Sequence, residues 1–140
     1  MRPCLLDTGP VVALLDRKDP NHDWVSPRFK QLQGRLVTSG AVVTEATFFL
    51  QNVRHGIDRL FELLGNPRVE IRDVFHPPSL RSAAALMERY ADTPMDFADA
   101  TLVVLAHELE TNQVLTLDER GFRSYRFSRN RAFALVLQDT

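Results

Sequence analysis

Short apolar runs alternate along this chain with longer stretches whose apolar residues recur at helical spacing. Cys4-Leu5-Leu6 predicts a strand ending at Asp7. Thr8-Gly9-Pro10 then predicts a turn into a helix over Val11 to Leu15, with Pro10 in its first turn. Asn21 or Asp23 can cap a second helix carrying Trp24, Phe29 and Leu32. Leu36-Val37 reads as a second strand between Gly34 and Ser39-Gly40. From Ala41 the positions Val42, Ala46, Phe49, Leu50 and Val53 mark the apolar face of a helix, and another runs from about Ile57 to Leu64. Val69-Glu70-Ile71 alternates like a strand, Pro77-Pro78 opens a helix from Ser79 to about Tyr90, and Asp96 opens one reaching His107 or Glu110. Val114 to Leu117 predicts a strand ending at Asp118. Ala132 to Leu137, almost wholly apolar, predicts a strand buried on both faces.

Strands alternating with helices place the chain in the α/β class, with a mainly parallel, twisted sheet flanked by helices. Such sheets bind ligands beyond the carboxyl ends of their strands, where the strand order reverses. No repeat or long linker divides the 140 residues, so one domain is expected. The lone cysteine, Cys4, lies in an apolar run and reads as a buried thiol of a reducing, cytoplasmic protein. No membrane span or signal peptide is legible. The net charge of −1 does not by itself announce a nucleic-acid partner, so any RNA-binding surface must concentrate its cations locally.

The polar residues expected at the carboxyl edge are acids. Asp7 and Asp118 each follow a strand directly. Asp96 and Asp99, three apart at a helix start, share one face. Glu45 stands one turn into the helix after the second strand, among apolar and small neighbours. Each has an ordinary reading as a helix cap, a first-turn acid or a solvated side chain. Together they imply more. Two carboxylates about 5 Å apart repel by roughly 3 kcal/mol at an effective dielectric of 20. A cluster of them must bind cations or keep protons. An all-oxygen set suits Mg²⁺ or Mn²⁺, whose usual chemistry in such sites is activating water and stabilising charge on a phosphate.

Four stretches carry a family resemblance: Leu5-Leu6-Asp7-Thr8-Gly9-Pro10 through Leu15; Thr38-Ser39 to Glu45; Met95-Asp96-Phe97-Ala98-Asp99 through Leu102; and Leu115-Thr116-Leu117-Asp118 through Phe122. In this order and spacing the chain resembles the PIN-domain nucleases, and among them the VapC-like toxins of bacterial toxin–antitoxin pairs. The resemblance implies a PIN-like three-layer sandwich over residues 1–140 and hydrolysis of RNA. It also implies a homodimer and inhibition by a small VapB-like antitoxin. It assigns Asp7, Glu45, Asp99 and Asp118 to the metal, with Asp96 as an auxiliary ligand or water-orienting group. Thr8 and Thr116 become hydroxyl partners of the acids.

Arg120, Arg123 and Arg126, followed by Arg129 and Arg131, are interleaved with Phe122, Tyr125 and Phe127. They read either as a basic patch for an RNA backbone or as a solvated loop over apolar surface, with Phe122 in the core. His22, His55, His76 and His107 show no ligand spacing. An apolar groove near Trp24, Phe48, Phe49 and Leu60 is the expected antitoxin surface, unless these side chains fill the core or a dimer interface.

Competing folds are excluded by position. A haloacid-dehalogenase phosphatase needs an acid where Gly9 stands. A receiver domain needs paired acids after its first strand and a late lysine, but the lysines are Lys18 and Lys30. No phosphate-binding Gly-x-x-x-x-Gly-Lys loop is present. The alternative from another class is a catalytically idle PIN-like domain that binds RNA or protein.

Overall fold

The structure is a computed structural model describing residues 2–139; Met1 and Thr140, the ends of the expected domain, lie outside the described residues. Strands β1 (Cys4–Leu6), β2 (Leu36–Ser39), β3 (Val69–Arg72), β4 (Gln113–Leu115) and β7 (Ala134–Leu135) form one sheet in the order β3-β2-β1-β4-β7. Every pairing in it is parallel, with Leu5 opposite Val37 on one side and Val114 on the other. The order reverses between β1 and β4, which is where a ligand crevice is expected in an open α/β sheet.

Successive strand residues face opposite ways, and two cores follow from that alternation. Cys4 and Leu6 join Leu36 and Leu115 against helices α1 (Thr8–Leu15), α2 (His22–Lys30), α3 (Gly40–Leu50) and α4 (Gly56–Leu64). Leu5, Val37 and Val114 instead pack with α5 (Pro77–Arg89) and α6 (Phe97–Leu109). Helices on both faces of the sheet make the three layers that the resemblance implied. Helix α6 is buried at every position from Ala98 to Ala106, apolar nearly all round because it lies between the sheet and α5.

Several boundaries differ from the sequence reading. Thr8-Gly9 is not a turn: Asp7 caps α1 directly, so Pro10 is the third helical residue. Helix α2 stops at Lys30, before Leu32. Strand β2 runs on through Thr38 and Ser39, and β4 ends at Leu115, before Asp118. Phe49 points outward, 54% exposed, and leaves the α3 core face to Val42, Ala46 and Leu50.

The last apolar run is not one strand buried on both faces. Arg131–Ala132 forms β6, antiparallel to β5 (Arg126–Phe127), before Phe133 turns inward and β7 joins the sheet edge. There Leu135 and Leu137 are buried while Ala134 and Val136 are only half-buried, the alternation of an edge strand with one covered face. The short helix α7 (Glu119–Ser124), absent from the sequence reading, precedes this hairpin. Among the described residues no helix is long and apolar enough to cross a membrane.

Candidate active site

Helix capping aims the acids. Asp7 ends β1 and caps α1: its Oδ1 accepts from Thr8 N at 2.8 Å. Asp96 and Asp99 form a reciprocal capping box at the start of α6. Asp99 N donates to Asp96 Oδ1 at 2.8 Å, and Asp96 N donates to Asp99 Oδ2 at 3.2 Å. Asp118 caps α7 by accepting from Gly121 N at 3.0 Å. The ordinary cap reading of Asp7, Asp96 and Asp118 is therefore correct. It does not compete with a functional one, because capping fixes where each remaining oxygen points.

Thr116 joins two of these caps. Its hydroxyl donates to Asp7 Oδ2 at 2.7 Å and accepts from Asp118 N at 2.9 Å, so one buried side chain sets both acids. The Gln138 amide in turn donates to the Thr116 carbonyl at 2.8 Å. On the other side of β1, Thr38 Oγ1 donates to the Leu6 carbonyl at 2.7 Å. Ser39 Oγ hydrogen-bonds Thr101 Oγ1 at 2.8 Å and also caps α3, so it ties the helix bearing Glu45 to the helix bearing Asp99. The sequence reading missed this clamp. Its signal was present in Ser39, a hydroxyl residue immediately before an amphipathic run.

The acids act on one another electrostatically. Burial is the main cause that raises Asp99 to about 8, and the charges of Asp7, Asp96 and Asp118 add to it against the Asp96 backbone bond. Burial likewise raises Asp7 to about 6 despite its bonds to Thr116 and Thr8, with Glu45 and Asp96 adding repulsion. Glu45 is half-buried and is raised chiefly by burial, then by Asp96. Asp7 is 7% exposed and Asp99 9%, whereas Asp96 is open to solvent. The charges of Glu45, Asp96 and Asp118 thus reach the buried Asp7 and Asp99 at the carboxyl edge, beside the reversal between β1 and β4.

The donor set fits a hard divalent cation. It is all oxygen and carries more negative charge than the burial tolerates without protons or a cation. Thr8 Oγ1 is also buried with no hydrogen-bond partner, although it lies close enough to Glu45 to favour the charged carboxylate. Among the described residues no three His, Cys, Asp or Glu side chains are already grouped closely enough to hold an ion.

Two further residues lie at these acids: Tyr125, read from sequence only as an aromatic between the late arginines, and Gly121, not singled out from sequence. Tyr125, fully buried, has its hydroxyl 3.4 Å from the Pro94 carbonyl, and its pKa is raised by burial and then by Asp99, Asp118 and Asp96. Gly121 backs Asp118: a Cβ there would collide with Asp118 Oδ2 and stand 2.9 Å from the Tyr125 hydroxyl. Gly121→Ala is expected to displace the Asp118 carboxylate. If the acids cleave RNA as the resemblance implies, the substitution should lower turnover at least 10-fold while costing only about 1–3 kcal/mol of stability, the usual range for overpacking. Paired turnover and urea-melt measurements check this; unchanged turnover would mean that the position of Asp118 is immaterial.

The late arginines divide. Arg123 is engaged by Asp139 at 3.0 Å and Glu119 at 3.3 Å. Arg126 donates to the carbonyls of Arg123 and Tyr125, both at 2.9 Å. Arg120 is exposed and forms no ion pair among the described residues. The interleaved aromatics are interior: Phe122, Tyr125, Phe127 and Phe133 pack edge-on or tilted at 4.9–5.3 Å. The expected apolar groove also needs correction. Leu60 is 1% exposed and belongs to the core, and Trp24 is half-buried beneath Arg28, while Phe48 and Phe49 stand 66% and 54% exposed.

Comparison with known proteins agrees with this architecture. The family model described as the PIN domain matches residues 4–128. The chain is 32% identical over 126 residues to Ribonuclease VapC26 of Mycobacterium tuberculosis (strain ATCC 25618 / H37Rv), covering 87% of this chain and 91% of that protein. Its fold matches the crystal structure of Mycobacterium tuberculosis VapC20, a sarcin–ricin loop cleaving toxin. That match has a TM-score of 0.74 at 17% identity and covers 82% of this chain and 89% of that one. With its parallel sheet, its cluster of capped acids and a family match spanning most of its length, the chain belongs to the PIN-domain family.

Proposed function

We propose that this chain is a divalent-cation-dependent ribonuclease that hydrolyses RNA phosphodiesters in the cytoplasm, as the toxin of a toxin–antitoxin pair. The observation that carries the reading is the burial of Asp7 and Asp99 at the reversal of the sheet, their pKa values raised to about 6 and about 8 by burial with the charges of neighbouring acids adding to it. The ribonuclease name of VapC26, at 32% identity, supports it.

Asp7, Glu45, Asp99 and Asp118 hold the cation, Mg²⁺ or Mn²⁺, and Asp96 assists from the exposed end of the capping box. When bound, such a cation lowers the pKa of water and offsets charge on the phosphate oxygens. The protein's own contribution is orientation. Thr116 locks Asp7 and Asp118 relative to each other, and Thr8 leaves an unused hydroxyl beside Glu45. A carboxylate of the cluster that the cation leaves free would take up the proton that water releases. Arg120 and Arg126 are assigned to the RNA backbone, and Arg123 contributes only if its two acidic partners release it.

Residues 1–140 act as one unit and pair as a homodimer. The exposed Phe48, Phe49 and Phe61 on α3 and α4 provide the surface for a VapB-like antitoxin. The experiment is cleavage of a labelled RNA pool in Mg²⁺ or Mn²⁺ against EDTA. Cleavage restricted to the divalent ions is expected. Binding of RNA with no cleavage under either ion would establish an idle PIN-like binding domain instead.

A further inference from the structure

A cavity of about 640 Å³ opens between α5, α6 and the β5–β6 hairpin, and none of the five acids lines it. Its wall is apolar and aromatic at Leu86 and Tyr90, and Arg89, Arg126 and Arg129 also line it, with Arg126 Nη1 donating to the carbonyls of Arg123 and Tyr125. None of the three forms an ion pair among the described residues. The carboxylate of the lining, Glu108, already accepts from Ser79 Oγ at 2.9 Å. In a chain of net charge −1 this is a local surplus of cations. The volume is that of a small-molecule site. Planar guanidinium forks suit phosphate oxygens, and an aromatic face suits a base.

The cavity continues the face that carries the acids. Asp99, Val103 and His107 are spaced by four along α6 and so form one stripe; the latter two line the cavity. At ~1.5 Å rise per residue, Val103 stands about 6 Å and His107 about 12 Å along the helix from Asp99. A pair of tyrosines separates the two spaces. Tyr125 lies against the acids, Tyr90 lines the cavity, and their rings meet edge-on at 5.1 Å. The Tyr90 hydroxyl accepts from Arg126 N at 2.9 Å, which holds the hairpin and its arginines against the cavity.

We propose that this cavity holds one nucleotide of an RNA strand beyond the position cut, its phosphate against Arg89, Arg126 and Arg129 and its base against Leu86 and Tyr90. The proposal rests on the ribonuclease reading for its ligand, but its test does not require cleavage. Binding of a fluorescein-labelled single-stranded RNA to the full chain is followed by anisotropy in EDTA. Adenosine 5′-monophosphate and inorganic phosphate serve as competitors.

Two variants address the cavity. Arg89→Glu with Arg129→Glu reverses its charge, and Ser82→Trp fills it from an exposed position. Each should weaken RNA binding at least 10-fold with an unchanged melting profile, and the monophosphate should compete better than inorganic phosphate. With Mn²⁺ present, both variants should raise KM and leave kcat unaltered. Wild-type affinity in both variants, or equal competition by the two anions, would overturn the nucleotide site. So would a change of oligomeric state at unaltered RNA affinity. Failure of the wild type to cleave any RNA would instead strike the ribonuclease reading alone, because the EDTA titration stands apart from turnover.

Discussion

Asp99→Asn is expected to lower RNA cleavage by 10³-fold or more while leaving the fold intact. Asp99 combines deep burial with the repulsion of three other acids, and it stands at the first turn of the most buried helix. Removing its charge deprives a cation of an anionic ligand. A loss of about 4 kcal/mol in transition-state stabilisation corresponds to three orders of magnitude in rate. Asparagine keeps the structural role, since its carbonyl oxygen can still accept from Asp96 N in the capping box. Asp7→Asn should be equally inactive but structurally less neutral. Asp7 uses both oxygens as acceptors, for Thr8 N and the Thr116 hydroxyl, and an amide nitrogen cannot accept either bond. Cleavage rates read beside circular dichroism and thermal melts decide the matter. An unfolded Asp99→Asn protein would assign that carboxylate to architecture, and a folded, active one would remove it from the chemistry.

The residues that build this site were legible because two signals coincided at each of them. Asp7 is a cap-type residue at a predicted strand end and Asp96 one at a predicted helix start, and the class of sheet brings both to one edge. Asp118 reaches its position by another route than expected. It does not end the strand but caps a helix the sequence reading lacked, reached through Thr116-Leu117. Where the reading failed, tertiary pairing overrode local pattern. The run from Ala132 to Leu137 looks continuous, yet Arg131–Ala132 pairs backward with Arg126–Phe127 while Ala134–Leu135 pairs forward with β4. No local propensity separates those partners. Phe49 and Leu60 illustrate the same limit: both sit at helical spacing among apolar neighbours, but the packing of α3 on α4 leaves one outside and buries the other. Tyr125 and Gly121 belong to the acid site through packing around α7, so their place depends on a helix that had to be seen first.

Stability in EDTA is expected to fall as pH rises from about 4 to about 8.5, and a divalent cation should reverse most of that fall. Asp7 and Asp99 have folded-state pKa values raised to about 6 and about 8, above the ~3.9 of an unfolded aspartate. The folded protein therefore holds more protons than the unfolded chain between these limits, and the slope of unfolding free energy with pH is negative. The stabilisation is complete below about pH 4 and is lost as each carboxyl ionises, first Asp7 and then Asp99. Each tenfold gain in proton affinity on folding corresponds to ~1.4 kcal/mol. Even with part of that gain relaxed by side-chain motion and water entry, a few kcal/mol should disappear, on the order of 5–10 °C in Tm. Mn²⁺ competes with the protons, so it should stabilise strongly at pH 8 and little at pH 5. Asp99→Asn should flatten the upper part of the profile and melt above the wild type in EDTA at pH 8. Thermal melts of both proteins across this range, with and without Mn²⁺, measure the difference. Parallel profiles that ignore the cation would mean that these buried acids neither repel one another nor wait for a counter-ion, and the chemistry assigned to them would have no electrostatic basis.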